Sequence, residues 1–123
     1  MEHVAILGAS NNPSRDSYKA QVQLVEQGHK VYPVSLKEKE ILGVEAYQSL
    51  QDIEQQLDTI TVYINSQYFH KLLNDIINLK PRRVIFNPGS EAIKEMKLLT
   101  EAGIIVQEAC TLVLLSINQF EEY

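Results

Sequence analysis

Residues 4–17 read VAILGASNNPSRDS and decide the fold of this chain. The apolar run Val4–Leu7 is short and continuous, which is typical of a strand buried on both faces of a parallel sheet. Gly8 closes that run, and a polar loop follows before helical spacing begins near residue 16. We therefore predict a strand, a loop and a helix over about residues 16–27, the order that opens a βαβ unit.

The rest of the chain repeats this alternation. Strands are predicted at Lys30–Val34, Thr59–Ile64, Val84–Phe86 and Ile104–Val106. Ile41–Tyr47, which Gly43 divides, is predicted to form a short edge strand or a bent segment. Helices are predicted over about 50–56, from Ser66 to before Pro81, over about 91–101 and over 111–117. Strands that alternate with helices predict five main parallel strands, and right-handed crossovers restrict their topology. We expect a single domain over 1–123 with a three-layer, doubly wound, Rossmann-like α/β/α fold.

Composition narrows the classes of function. The chain has 123 residues and a formal net charge of −5, a balance opposite to that of a duplex-binding module, so nucleic acid is not the expected partner. A single cysteine excludes an intrachain disulfide framework, and no apolar run approaches the ~18 residues of a membrane span. The opening MEHVAIL lacks the basic segment of a signal peptide, so we expect a cytoplasmic protein without a membrane partner.

The first loop is the strongest candidate for a binding site. Ligands of open α/β sheets bind beyond the carboxyl ends of the strands, where this loop is predicted to lie. Gly8 lets the backbone approach a ligand, the start of the helix offers free amides, and Arg15 offers a bidentate fork for phosphate. Ser10, Ser14 and Ser17 add hydroxyl groups. The alternative is a polar turn that only caps the helix; the position of the loop favours phosphate binding.

The loop after the second strand indicates which nucleotide fits. The chain lacks the GxGxxG motif of dinucleotide sites, and the second strand ends in Val34 and Ser35 rather than in an acid that would hold the ribose hydroxyls. Lys37 and Lys39 follow directly. Two lysines near a ribose favour a ribose phosphate, as in NADP or coenzyme A (CoA), although exposed lysines in water explain them equally well.

No catalytic constellation is evident. The three histidines fall outside the predicted binding loops, and neither a nucleophile elbow nor a phosphate-binding P-loop motif is present. The basic run of Lys80, Arg82 and Arg83 precedes a strand and is interpreted as a solvated surface. Cys110 follows the last strand near a helix start. It is interpreted as a small buried apolar residue, with a thiol that faces a ligand thiol as the alternative.

Several motifs carry a family resemblance over about residues 3–115. They are VAILGASNNPSRDSY, VYPV, ILGVEAYQSL, FNPGSE and EACTLVLL. The chain resembles the small stand-alone CoA-binding domain family, which is similar to the CoA-binding domain of the succinyl-CoA synthetase alpha chain. The resemblance implies a Rossmann-type fold, with the adenosine diphosphate against Gly8–Ser10 and the end of the second strand, and with the pantetheine arm toward Asn65, Asn87–Gly89 and Cys110.

Combined with the loop analysis, the resemblance gives a set of expected cofactor-binding residues. These are Gly8, Ala9, Ser10, Pro13, Arg15, Ser17, Tyr18, Pro33, Val34, Ser35, Lys37, Lys39, Asn65, Asn87, Pro88, Gly89 and Cys110. The chain departs from the family at residues 33–36, which read PVSL where members usually have Pro-Val-Asn-Pro, and at residues 87–89, which read NPG where many have Gln-x-Gly. The synthetase's active-site histidine belongs to another domain, so no ligase activity is expected.

Three hypotheses follow for the function. The first is a module that binds CoA or an acyl-CoA without chemistry of its own, as a carrier, a sensor or a delivery protein. The second is a small NADP-dependent reductase or sensor, which is weakened by the missing glycines and by the absence of a proton donor at the expected spacing. The third is a structural subunit with a vestigial nucleotide pocket. Its apolar segments 69–77 and 111–117 would then contact a second copy or another protein partner.

Overall fold

A computed structural model describes residues 1–123, all of the chain. The strands are β1 (His3–Leu7), β2 (Lys30–Val34), β3 (Glu40–Ile41), β4 (Val44–Glu45), β5 (Thr59–Val62), β6 (Arg83–Phe86) and β7 (Ile105–Glu108). The helices are α1 (Asp16–Glu26), α2 (Ser66–Phe69), α3 (Leu73–Leu79), α4 (Ile93–Glu101) and α5 (Thr111–Ser116). The predicted alternation of strands and helices is confirmed.

Five parallel strands form the main sheet, in the order β2-β1-β5-β6-β7. Every residue of β5 and β6 is buried, as expected for the central strands of a parallel sheet that is covered on both faces. Side chains alternate between two cores: Ile6 of β1 belongs to the core that includes Leu24 of α1, whereas Leu7 belongs to the core that includes Ile76 of α3. Helices α1 and α5 cover one face, and α3 and α4 cover the other. The fold is the predicted Rossmann-like α/β sandwich.

The segment after β2 departs from the prediction. Residues 40–45 form a separate antiparallel hairpin instead of an edge strand, and its turn holds Leu42 at φ +53 and Gly43 at φ +76. Only Tyr47 reaches the main sheet, through one parallel bridge to Val34. The helix predicted over 50–56 is a single 3-10 turn, which Ser49 caps by accepting a hydrogen bond from the Gln51 amide at 3.2 Å. A second 3-10 turn, at residues 70–72, separates α2 from α3.

The expectation of a solvated basic run is wrong for Arg83, which is completely buried. Its guanidinium pairs with the buried Glu2 carboxylate at 3.3 Å and donates to the Phe120 carbonyl at 2.6 Å. The ring of Tyr123 lies 3.8 Å from the guanidinium carbon. A buried charge is tolerated when it is paired and fully hydrogen-bonded, and these partners lie too far away in the sequence to be seen there. Arg82 remains exposed.

None of the helices has the length and apolar character that crossing a membrane would require.

Candidate functional site

A cavity of about 640 Å³ opens beyond the carboxyl ends of β1, β2 and β5, where the sequence predicts the site. Strand order reverses at β1, which is the position at which such folds bind ligands. Eight residues of the expected set line this cavity: Gly8, Ala9, Ser10, Arg15, Ser17, Val34, Ser35 and Lys37. The first loop and the loop after β2 therefore form two walls of one space.

Hydrogen bonds join the loop after β1 to the end of β2 beside the cavity. The Val34 carbonyl accepts hydrogen bonds from the amides of both Gly8, at 3.2 Å, and Ala9, at 3.0 Å. These two amides are consequently already hydrogen-bonded and are not free to donate to an anion. They are paired because the last carbonyl of a parallel strand needs a donor, which the adjoining loop supplies here.

Gly8 instead serves a close packing contact. Its φ is +94°, a conformation that side chains disfavour, and a Cβ there would lie 3.1 Å from the Tyr63 carbonyl carbon and 3.0 Å from Cγ2 of Ile64. The glycine thus lets the first loop lie directly on the end of β5. It shapes the cavity by letting two loops approach each other.

The start of α1 supplies the unused amides. Arg15 occupies the N-cap position without a side-chain cap, and the amides of Asp16 and Ser17 make no hydrogen bond within the chain. Both residues line the cavity, at the positive end of an eleven-residue helix. Free amides at a helix start are a recurrent anion-binding arrangement, so this corner is suited to a phosphate group.

Three cationic side chains line the cavity from three different elements. Arg15 stands at the start of α1, Lys37 lies in the loop after β2, and Lys71 lies in the turn after α2. All three are exposed, and none has a carboxylate within ion-pair distance. Asp16 and Glu38 are the acids of the lining. The cavity is therefore less acidic than the chain as a whole, which favours anionic ligands.

An apolar wall completes the lining. Its side chains are Leu36, Leu50, Ile64, Tyr68 and Leu72. Leu36 is 86% exposed, an unusual position for a leucine beside a cavity. Apolar walls next to a few placed polar groups are typical of cofactor sites.

Tyr63 also lines the cavity, and burial of its side chain raises its pKa to about 12. The nearby hydroxyls of Thr61 and Thr111 oppose that shift. The phenol consequently stays protonated at neutral pH.

The remaining expected residues lie outside the cavity. They are Pro13, Tyr18, Pro33, Lys39, Asn65, Asn87, Pro88, Gly89 and Cys110. Asn87 is buried, and its side chain donates to Thr61 Oγ1 at 2.7 Å and accepts from the Thr111 amide at 2.8 Å. Asn65 caps α2 by accepting from the Gln67 amide at 3.0 Å. The Asn87 side chain and the Asn65 side-chain oxygen thus have partners within the chain, which the sequence pattern alone does not show.

Three charged residues of the lining were not expected from the sequence: Asp16, Glu38 and Lys71. Lys71 shares a helical face with Tyr68 and Leu72, so its spacing could have indicated a common wall once the helix was placed. Glu38 lies in an irregular loop, where no periodicity predicts the direction of a side chain. Its carboxylate accepts a hydrogen bond from the Asn11 amide group at 2.8 Å, which joins the two loops across the cavity.

Comparison with known proteins identifies the family. The model of the CoA binding domain matches residues 2–116. This chain belongs to the CoA-binding domain family. The chain is 31% identical over 105 residues to the alpha subunit of ADP-forming acetate–CoA ligase II of Pyrococcus furiosus, and this match covers 80% of the chain. The matched part is 23% of the ligase subunit, so the chain spans about a quarter of that relative.

Solved structures share the complete fold. A crystal structure of a protein described as uncharacterized is 40% identical, with a TM-score of 0.92 and coverage of 98% of both chains. A protein from Thermus thermophilus is 32% identical, with a TM-score of 0.88 and coverage of 97% of this CoA-binding domain and 90% of that chain. The arrangement of strands and helices is therefore one that single chains of this length adopt elsewhere.

Proposed function

We propose that the chain binds CoA or an acyl-CoA in the cavity at the carboxyl ends of β1, β2 and β5, without chemistry of its own. The observation that carries this proposal is the corner formed by Arg15 and the free amides of Asp16 and Ser17, in a chain of the CoA-binding domain family. A diphosphate accepts hydrogen bonds from amides and from a guanidinium, and both kinds of donor are unpaired here.

The charges of the lining favour a ligand with more than one phosphate position. CoA carries a diphosphate and a separate 3′-phosphate. Arg15 and the start of α1 would hold the diphosphate, and Lys37, on the loop after β2, would hold the 3′-phosphate. Leu36 offers an apolar surface next to Val34 at the end of that strand, where the adenine would pack.

The pantetheine arm is proposed to leave the cavity past Ile64. The sheet edge beyond it carries Asn65, then Asn87–Gly89 after β6 and Cys110 after β7. These residues lie outside the cavity itself, so they would contact the far part of a long ligand. Pro88 and Gly89 are exposed and Cys110 is partly exposed, which leaves this edge open to such a chain.

A binding role fits the chemical groups of the lining better than catalysis. The cavity is lined by neither a histidine nor the cysteine, and its tyrosine with a shifted pKa remains protonated at neutral pH. General acid-base catalysis needs a group with a pKa near the working pH. We infer that the module carries, senses or delivers its cofactor for another protein.

Calorimetry with three ligands tests this proposal. CoA should bind with a dissociation constant in the micromolar range or below, dephospho-CoA should bind more weakly because it lacks the 3′-phosphate, and NADPH should bind weakest. Native mass spectrometry of the freshly purified protein should show a retained ligand with the mass of CoA or an acyl-CoA. Heat with NADPH but not with CoA would support the NADP hypothesis instead, and no heat with either would indicate a vestigial pocket.

A further inference from the structure

We propose that Glu38 accepts a hydrogen bond from the free 2′-hydroxyl of the bound cofactor's ribose, while Lys37 binds the adjacent 3′-phosphate. This inference rests on the proposed function, because it concerns CoA bound in the cavity described above. Glu38 would then determine the specificity of the site for a ribose with a free 2′-hydroxyl and a 3′-phosphate.

The position of Glu38 is fixed from both ends. Its amide donates to Ser35 Oγ at 3.1 Å, and the Lys37 amide donates to the same oxygen at 3.3 Å. Its carboxylate Oε2 accepts a hydrogen bond at 2.8 Å from Asn11 Nδ2, which also donates to the Glu40 carbonyl at 3.0 Å. Glu38 is half-buried and lines the cavity, and the hydrogen bond to Asn11 gives its carboxylate a defined orientation.

One carboxylate oxygen remains available. The chain gives Oε2 a partner in Asn11, and Oε1 makes no hydrogen bond. No cationic group lies within ion-pair distance of Glu38. A carboxylate with a free oxygen, at the wall of a cavity lined by Arg15, Lys37 and Lys71, is therefore an acceptor in an otherwise anion-binding space.

The chemistry of that acceptor selects its ligand group. A carboxylate repels a phosphate but accepts strongly from a neutral hydroxyl. Acids at the end of the second strand of nucleotide-binding sheets hold ribose hydroxyls in this way. Here the acid comes four residues after β2 and directly after Lys37. Neighbouring residues of opposite charge match a ribose with a phosphate on one carbon and a hydroxyl on the next.

The test compares two small analogues, adenosine 3′,5′-bisphosphate and its 2′-deoxy form, by displacement of CoA followed in calorimetry. The unmodified protein should bind the deoxy analogue at least about tenfold more weakly, as expected for a hydrogen bond to a charged group. In Glu38→Ala the two analogues should bind equally. Glu40→Ala removes the same charge from a neighbouring acid outside the cavity, so it should keep the tenfold difference.

The outcomes separate this inference from the proposed function. If the unmodified protein does not bind CoA, the proposed function fails. If it binds CoA but does not distinguish the two analogues, or if neither analogue displaces CoA at millimolar concentration, the role of Glu38 is refuted. A tenfold difference that persists in Glu38→Ala would also refute it, because another group would then bind the 2′-hydroxyl.

Discussion

Gly8 and Ile64 approach so closely that a Cβ on Gly8 would lie 3.0 Å from Cγ2 of Ile64. The same Cβ would lie 3.1 Å from the Tyr63 carbonyl carbon, which cannot move as a side-chain end can. The contact joins the loop after β1 to the end of β5 under the cavity. The glycine is therefore required both by its positive φ and by the space around it.

Gly8→Ala should destabilise the fold by about 2 kcal/mol or more, because left-handed strain of about 1–2 kcal/mol adds to the clash with β5. Urea denaturation measures this loss. Gly89→Ala is the matched control, since Gly89 has a similar φ of +92° but no atom within 4 Å of a Cβ. Equal losses in the two variants would show that close packing at Gly8 contributes nothing.

Arg15→Ala should weaken CoA binding by about 1.5–3 kcal/mol, as expected for lost hydrogen bonds between charged groups. Arg15 is exposed and makes no ion pair, so the free energy of unfolding should stay nearly unchanged. Calorimetry with CoA measures the affinity. Lys97→Ala, which removes an exposed cation on α4, should leave the affinity for CoA unaltered. An equal loss of affinity in that variant would show that Arg15 acts only through the net charge of the protein.

Asn87→Ala should destabilise the protein by about 1–3 kcal/mol, because the Thr111 amide at the start of α5 loses its buried acceptor. The Thr61 hydroxyl loses a donor at 2.7 Å in the same variant. Thermal unfolding without ligand measures the effect. Asn74→Ala, on the exposed side of α3, should change stability much less. A loss no larger than that of Asn74→Ala would contradict the structural role of Asn87.

Stability should fall as the pH drops below about 6.5, because burial lowers the pKa of His29 from its ordinary value. The folded protein keeps this imidazole neutral, with Nδ1 accepting from the Glu2 amide at 3.0 Å, whereas the unfolded chain takes up a proton near pH 6.5. The loss begins there and continues down to the lowered pKa. Urea denaturation between pH 5.5 and 8 measures it.

The matched variant for this pH dependence is His29→Asn, whose side-chain oxygen keeps an acceptor near the position of Nδ1. It should remove the slope between pH 5.5 and 7.5 while retaining part of the hydrogen bond to Glu2. An unchanged slope would assign the pH dependence to other groups, such as the carboxylates.

The strands were predictable because strands buried on both faces of a parallel sheet are rich in β-branched and apolar residues, as Thr59–Val62 is. The hairpin at residues 40–45 was not, since its turn places Leu42 at a positive φ that leucine disfavours. The burial of Arg83 in the core was also not predictable from the sequence. Its burial depends on Glu2 and on Phe120, and long-range pairings of this kind leave no local pattern.

For the candidate site, the location of the residues in the fold was more predictable than the hydrogen bonds that orient their side chains. The topology placed Arg15 and Lys37 at one sheet edge, because the loops after parallel strands must share that edge. Glu38 was missed, because its direction follows from hydrogen bonds to Ser35 and Asn11 that only the folded loop creates. Polar side chains in irregular loops can point toward the cavity or away from it, and no spacing rule predicts which.

The shared Val34 carbonyl has a consequence for the kinetics of cofactor association. Because it binds the amides of Gly8 and Ala9 at once, the two walls of the cavity are joined before any ligand arrives. Such a preorganised receptor loses little conformational entropy on association and needs no slow rearrangement of these loops. CoA should therefore associate in a single kinetic phase whose rate rises linearly with ligand concentration.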